Sequence, residues 1–155
     1  MASIKLTVNG KEHTIDVAPE MPLVWALRDF MGLKGTKYSC GIGYCGACVA
    51  LLDGEPVRTC TMPVGSVGDR KLLTIEGISE ENDHPVQQAF IEEQAPQCGF
   101  CFSGQTLVAA AMLRDTPDPS DEDITYAMNG VVCRCGAYPR VKKAIARAIE
   151  IINEP

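Results

Sequence analysis

From Ile4 the chain alternates apolar and polar residues through Leu6 and Val8, stops at Asn9-Gly10, and resumes the alternation in EHTIDV. A period of two interrupted by a two-residue Asn-Gly turn predicts a β-hairpin. The period changes in PLVWALRDFMGL, where Leu23, Trp25-Ala26-Leu27 and Phe30 fall at helical spacing. Pro22 is placed as the first helical residue and Gly32 as the stop. VALLDGEPVRTC predicts a second hairpin around Asp53-Gly54, and KLLTIEGI a later strand. A β-β-α-β-β order over about 75 residues suits a small sheet gripping one helix.

After ISEENDH the period becomes helical, over Pro85 to Glu93, Gly104 to Arg114, Asp121 to Met128 and Pro139 to Ile152. Ser120 with Asp123 resembles a capping box, and Pro139 sits where a first helical residue is tolerated. The expected fold class is α+β, with a sheet-and-helix domain over residues 1–78 and a four-helix bundle over 79–155. The boundary is the short, polar, acidic connector from Gly77 to Asp83.

Composition narrows the function classes. With 155 residues, 46% hydrophobic and 22% charged, the chain can bury its own core and needs no disulfides to fold. A formal net charge of -6 and the lack of a Lys/Arg-rich run argue against nucleic acid as a partner. The longest apolar stretches, such as Thr106 to Leu113, are too short for direct membrane insertion. MASIKLTVNG is a strand pattern with no apolar signal core, so the expected location is cytoplasmic, with export of an assembled complex on a partner's signal left open. In a reducing compartment eight cysteines point to metal or redox chemistry.

The cysteines form two sets of four. Cys40, Cys45, Cys48 and Cys60 have the spacing C-x4-C-x2-C-x11-C, and the C-x4-C-x2-C run matches that of plant-type [2Fe-2S] ferredoxins. Gly41, Gly43 and Gly46 let the backbone take unusual dihedrals around the sulfurs. Cys98, Cys101, Cys133 and Cys135 are spaced C-x2-C-x31-C-x-C. If Ser103 or Gly104 opens one helix and Tyr138 or Pro139 another, both pairs lie at helix N-termini, which favour thiolate. Disulfides conflict with the compartment and with the tight C-x-C pair. Zinc suits the second set taken alone, but the first set wraps three cysteines around one object in a glycine-rich loop.

Gly-Thr-Lys followed by CGIGYCGAC, then QCGFCFSGQ and CRCGAYPR, in that order, resembles the small iron–sulfur subunit of the molybdenum hydroxylases, the family of xanthine, aldehyde and isoquinoline oxidoreductases. The resemblance runs from Ile4 to Ile152. It implies a plant-ferredoxin-like β-grasp domain followed by a four-helix bundle, each with one [2Fe-2S] cluster. Cys40, Cys45, Cys48 and Cys60 are then the metal ligands of the outer cluster, and Cys98, Cys101, Cys133 and Cys135 those of the inner one. Gln97 and Cys135 are the implied contacts to a molybdopterin cofactor held mainly by a large partner subunit. Hydroxylation of an aldehyde or N-heterocycle belongs to that partner. This chain carries electrons onward to a flavin subunit or cytochrome acceptor and has no catalytic residue of its own. A free-standing two-cluster carrier or redox sensor is the alternative.

Other residues have plainer readings. Trp25 is read as core. His13 and His84 lie outside every ligand motif and are read as structural or surface residues. The acidic runs Glu80 to Asp83 and Asp121 to Asp123 are read as a solvated turn and a helix start. Arg134 is open between tuning the inner site and lying in solvent or an interface. Tyr138 and Arg140 are open between partner contact and helix-start packing, and Gln105 has no assigned role.

Overall fold

Asn9 and Gly10 both have positive φ, 50° and 73°, as the predicted two-residue turn requires, and they join β1 (Ala2–Val8) to β2 (Lys11–Val17). The computed structural model describes residues 1–154; Pro155, the last residue of the expected second domain, lies outside them. The second hairpin joins β3 (Val49–Leu52) to β4 (Glu55–Arg58) through Asp53 and Gly54, both again at positive φ. β5 (Lys71–Leu73) completes a mixed sheet of order β2-β1-β5-β3-β4. β5 runs parallel to β1 and antiparallel to β3.

In the first half two predicted elements differ in detail. Pro22 precedes the helix instead of opening it, with an extended ψ of 131°. The helix itself, α1, is an α-turn over Leu23–Trp25 that widens to a π-turn over Ala26–Phe30. The wider turn rotates later residues off the 3.6-residue spacing, so Phe30 emerges half exposed. KLLTIEGI is a strand only as far as Leu73. Asn9 occupies Thr74 through its side chain, accepting from the Thr74 N–H at 2.8 Å and donating to Thr74 Oγ1 at 2.9 Å, and the chain turns into a 3₁₀ turn over Ile75–Gly77.

The four helices are α2 (Pro85–Glu92), α3 (Phe102–Asp115), α4 (Asp121–Asn129) and α5 (Tyr138–Asn153). α4 opens with the reciprocal Ser120–Asp123 capping box, and His84 caps α2 by accepting the Val86 N–H at Nδ1, 3.2 Å away. α3 begins two residues earlier than the Gly104 start read from the sequence, with Cys101 as its N-cap. No helix among the described residues is long and apolar enough to cross a membrane.

β3 has both faces buried. Val49 and Leu51 join the helical core around Phe90, Leu107 and Ile145, whereas Ala50 and Leu52 join the sheet core around Leu6, Leu27 and Leu72. Alternation along a single strand thus divides two cores. Hydrogen bonds tie the halves together across this wall: Ser103 Oγ donates to the Gly35 carbonyl at 2.7 Å, Arg58 Nη2 to Gly130 at 2.6 Å, and Arg114 Nη1 to Gly54 at 2.9 Å.

One approach between the halves is backbone to backbone. A Cβ on Gly104 of α3 would overlap the Gly46 carbonyl oxygen, which lies in the first cysteine loop. Alanine is the better helix former by about 1 kcal/mol, yet overpacking of this kind costs about 1–3 kcal/mol. Gly104→Ala is therefore expected to lower the urea unfolding midpoint; an unchanged or raised midpoint shows that the contact yields.

Candidate functional site

Between α1 and β3 the chain forms an irregular loop that carries Cys40, Cys45 and Cys48. Arg28 Nη1 holds the start of this loop by donating to the carbonyls of Lys34 (2.9 Å) and Thr36 (2.8 Å), and the Lys37 N–H donates to Ala47 near its end. Gly41, Gly43 and Gly46 have φ of 71°, 75° and 76°. A Cβ on Gly41 would meet the Tyr38 hydroxyl, and one on Gly46 the Gly130 carbonyl. The loop is a backbone cradle with no room for side chains at these points.

Cys60 follows β4. Thr59 fixes Cys60 against Cys48, donating to the Cys48 carbonyl from Oγ1 at 2.7 Å, while the Val24 N–H of α1 donates to the Thr59 carbonyl at 3.1 Å. Cys48, Cys60 and Val24 form a small apolar cluster, with Trp25 packed against it and stacked on Tyr38 at 4.6 Å between ring centroids. Trp25, read from the sequence as core, is thus half-buried in the wall of the first cysteine site rather than in either main core.

The four thiols divide electrostatically. Cys40 is drawn down to about 6, chiefly by backbone N–H donation from Cys45 and Ile42. Its sulfur accepts the Cys45 N–H at 3.3 Å. Cys60 is pushed up to about 11 by burial and by its hydrogen-bond contact with the Cys48 thiol.

The second site lies where the loop before α3 meets the loop before α5. Cys98, Cys101, Cys133 and Cys135 line one small pocket together with Gln97, Phe102 and Gln105. Cys133 is buried, Cys101 half-buried, and Cys98 and Cys135 exposed. The side chains meet as pairs, Cys98 with Cys135 and Cys101 with Cys133. Cys98 is held below the usual thiol range by the Phe100 backbone N–H and by Cys135, whereas burial and the Cys133 thiol push Cys101 up to about 12. The second loop is fastened by Tyr138, whose hydroxyl accepts the Cys133 N–H at 2.7 Å.

Each site therefore presents four thiols as two close pairs, Cys40/Cys45 with Cys48/Cys60 in the first and Cys98/Cys135 with Cys101/Cys133 in the second. That donor set fits a binuclear iron–sulfur cluster, in which each iron takes two thiolates and N–H groups donate to sulfur. The sites are adjacent. The Val132 N–H donates to the Cys45 carbonyl at 2.8 Å, so one hydrogen bond and one peptide unit join Cys45 of the first site to Cys133 of the second.

Other residues singled out from the sequence stand apart. His13 lies on β2 and His84 caps α2, its pKa lowered by burial, and neither enters a cysteine site. Gln97 and Arg134 are exposed. Arg140 donates to the Gln94 carbonyl at 3.2 Å and so braces the turn before the second site. Sequence patterns gave no signal for Thr59, Arg28 or Arg58, because their work is done on backbone carbonyls that only the fold brings near.

Residues 6–72 match the model of the 2Fe-2S iron-sulfur cluster binding domain, and residues 74–146 that of the [2Fe-2S] binding domain. The chain is 47% identical over 146 residues to the alpha subunit of isoquinoline 1-oxidoreductase of Brevundimonas diminuta, covering 94% of this chain and 96% of that protein. Among solved structures it is similar to a chain of quinoline 2-oxidoreductase of Pseudomonas putida 86, at 37% identity and TM-score 0.91, covering 96% of this chain and 94% of that one. It is also similar to the aldehyde oxidoreductase of Desulfovibrio desulfuricans, at 36% identity and TM-score 0.92; there 98% of this chain corresponds to 17% of the longer one.

Tyr138→Phe removes the acceptor of the buried Cys133 N–H, an unsatisfied group that costs about 1–3 kcal/mol. The expected result is a lower unfolding midpoint and faster loss of iron to a chelator from the second site only, followed by optical spectroscopy.

Proposed function

Because the chain belongs to the family of small [2Fe-2S] subunits of the molybdenum hydroxylases, we propose that it carries electrons from a molybdopterin site in a large partner subunit, through two cluster sites, to a downstream acceptor. The observation that carries this reading is the adjacency of two four-thiol pockets joined through Val132 N–H and the Cys45 carbonyl. Cys40, Cys45, Cys48 and Cys60 are the proposed ligands of the outer cluster, and Cys98, Cys101, Cys133 and Cys135 those of the inner one. A bound [2Fe-2S] cluster supplies reversible one-electron chemistry, which needs no proton-transfer residue on this chain.

What the chain's own residues do is hold thiolates and exclude water. Cys48, Cys60 and Cys133 are buried, which keeps solvent from the ligand sulfurs, while N–H groups of Cys45, Ile42 and Phe100 stabilise anionic sulfur. Cys135 and Gln97 are exposed on the rim of the second pocket. That exposure supports their assignment as the groups that meet a pterin held by the partner. Phe100, Val132 and Tyr138 add exposed apolar area nearby, the composition of an interface core.

The partner performs the substrate chemistry. The relatives are oxidoreductases named for isoquinoline, quinoline and an aldehyde, so an N-heterocycle or aldehyde is the proposed substrate class. A flavin subunit or a cytochrome is the proposed acceptor, the cytoplasm the proposed location, and the junction of residues 78 and 79 the proposed domain boundary.

Protein tagged in its native host is expected to elute with a much larger molybdenum-containing chain; recovery only as a monomer under mild conditions favours a free-standing carrier or sensor instead. Each chain should hold about four irons and four acid-labile sulfides, with two distinct EPR signals on reduction. Stoichiometric zinc without labile sulfide overturns the reading. In Cys135→Ser the inner signal is expected to disappear while the outer one persists, because the two thiol sets sit on separate segments.

A further inference from the structure

Among the described residues two buried side-chain polar atoms lack a hydrogen-bond partner, Thr36 Oγ1 and Gln105 Nε2. The first belongs to a hydroxyl that also accepts and is free to rotate. The second is a donor with no acceptor, on a side chain only 2% exposed. Leaving such a group unpaired in the interior costs about 1–3 kcal/mol, so its place in the fold calls for a partner.

Gln105 sits one helical turn beyond Cys101, its backbone N–H donating to the Cys101 carbonyl at 3.0 Å. Side chains on a helix lean toward the preceding turn. The lean brings Gln105 over Cys101, and Gln105 lines the same pocket as Cys98, Cys101, Cys133 and Cys135. The rest of that wall is Pro96, Gln97, Gly99, Phe102 and Ala137, of which only Gln97 carries a polar side chain, and Gln97 is exposed. Gln105 thus supplies the pocket's one buried side-chain amide.

We propose that the Gln105 Nε2–H group donates a hydrogen bond to sulfur of the cluster held by Cys98, Cys101, Cys133 and Cys135, and so raises the reduction potential of that cluster relative to the other. The inference rests on the two-cluster reading and adds a potential-setting role for a residue that is not a ligand. The physical reason is charge. Reduction adds one electron and makes the sulfurs more negative, so a buried donor stabilises the reduced state more than the oxidised one. The opposite amide orientation would set the Oε1 dipole against anionic sulfur, which is repulsive. Gln105 is a positioning and tuning residue, remote from any reacting substrate atom.

The test is a pair of variants in the assembled complex, Gln105→Met, which keeps the volume without the donor, and Gln105→Glu, which keeps the shape and replaces the amide N–H₂ by carboxylate oxygen. The potential of each cluster is read from its own EPR signal during stepwise reduction. In Gln105→Met the inner cluster should become harder to reduce by about tenfold in its reduction equilibrium, or about 59 mV for a one-electron couple. Gln105→Glu should shift it further in the same direction, and the outer cluster should not move. An unmoved inner potential overturns the proposal, as does an equal shift of both clusters, which marks a general packing effect. Absence of two signals in the unsubstituted complex instead overturns the two-cluster reading itself. If neither variant retains the inner cluster, glutamine labelled with ¹⁵N in its side chain reads the same contact in a Gln97→Met background. A ¹⁵N coupling to the reduced inner cluster is expected there, and its absence counts against the proposal.

Discussion

One strand with no solvent face governs the architecture. β3 sends Val49 and Leu51 into the helical core and Ala50 and Leu52 into the sheet core, so a slip of one residue would exchange both sets at once. Because β3 begins directly after Cys48, and β4 ends two residues before Cys60, the same register that fills the two cores fixes where half of the first thiol set stands. The second set is drawn against the first by the contact of Gly46 with Gly104 and Val131, where the backbones approach too closely for any side chain.

Holding four thiols together is an electrostatic problem that the two sites solve alike. Backbone N–H groups favour the anionic form of one thiol in each, at Cys40 and at Cys98, while burial favours the protonated form of a neighbour, at Cys60 and at Cys101. Metal binding must displace the remaining protons, so occupation of either site is coupled to proton release and to folding of its loop. The exposed members, Cys98 and Cys135, leave the second site open at one edge; in the first site Cys40 and Cys45 are half-buried, and Cys48 and Cys60 are buried with Trp25 packed against them. That asymmetry suits a chain in which one site faces a partner cofactor and the other lies further out.

Tyr138 and Trp25 show how a side chain can serve a site without belonging to its motif. Tyr138 opens α5, in line with the helix-start reading, and at the same time accepts the Cys133 N–H, a role in the site that its place after the motif did not signal. Trp25 ends the α-turn of α1, just before the π-turn, and packs there against Cys48 and Cys60. Arg134, between two cysteines, is exposed.

The sequence by itself determined what depends on short-range geometry. The hairpins at Asn9-Gly10 and Asp53-Gly54, the Ser120–Asp123 capping box and the four helices were legible because turn chemistry, capping and hydrophobic period act within a few residues. The short cysteine spacings were legible for the same reason, whereas the meeting of Cys98 and Cys101 with Cys133 and Cys135 across 31 residues is a contact that the fold makes. Only the tertiary structure decided which thiols pair within each set, that β3 serves two cores, and that α1 widens so that Phe30 is left half exposed. It also decided that Asn9 ends β5 at Leu73, and that Thr59 and Arg28 hold the first cysteine loop. Those outcomes rest on contacts whose energies depend on burial and orientation that no local pattern encodes, some between residues far apart in the chain, such as Asn9 with Thr74.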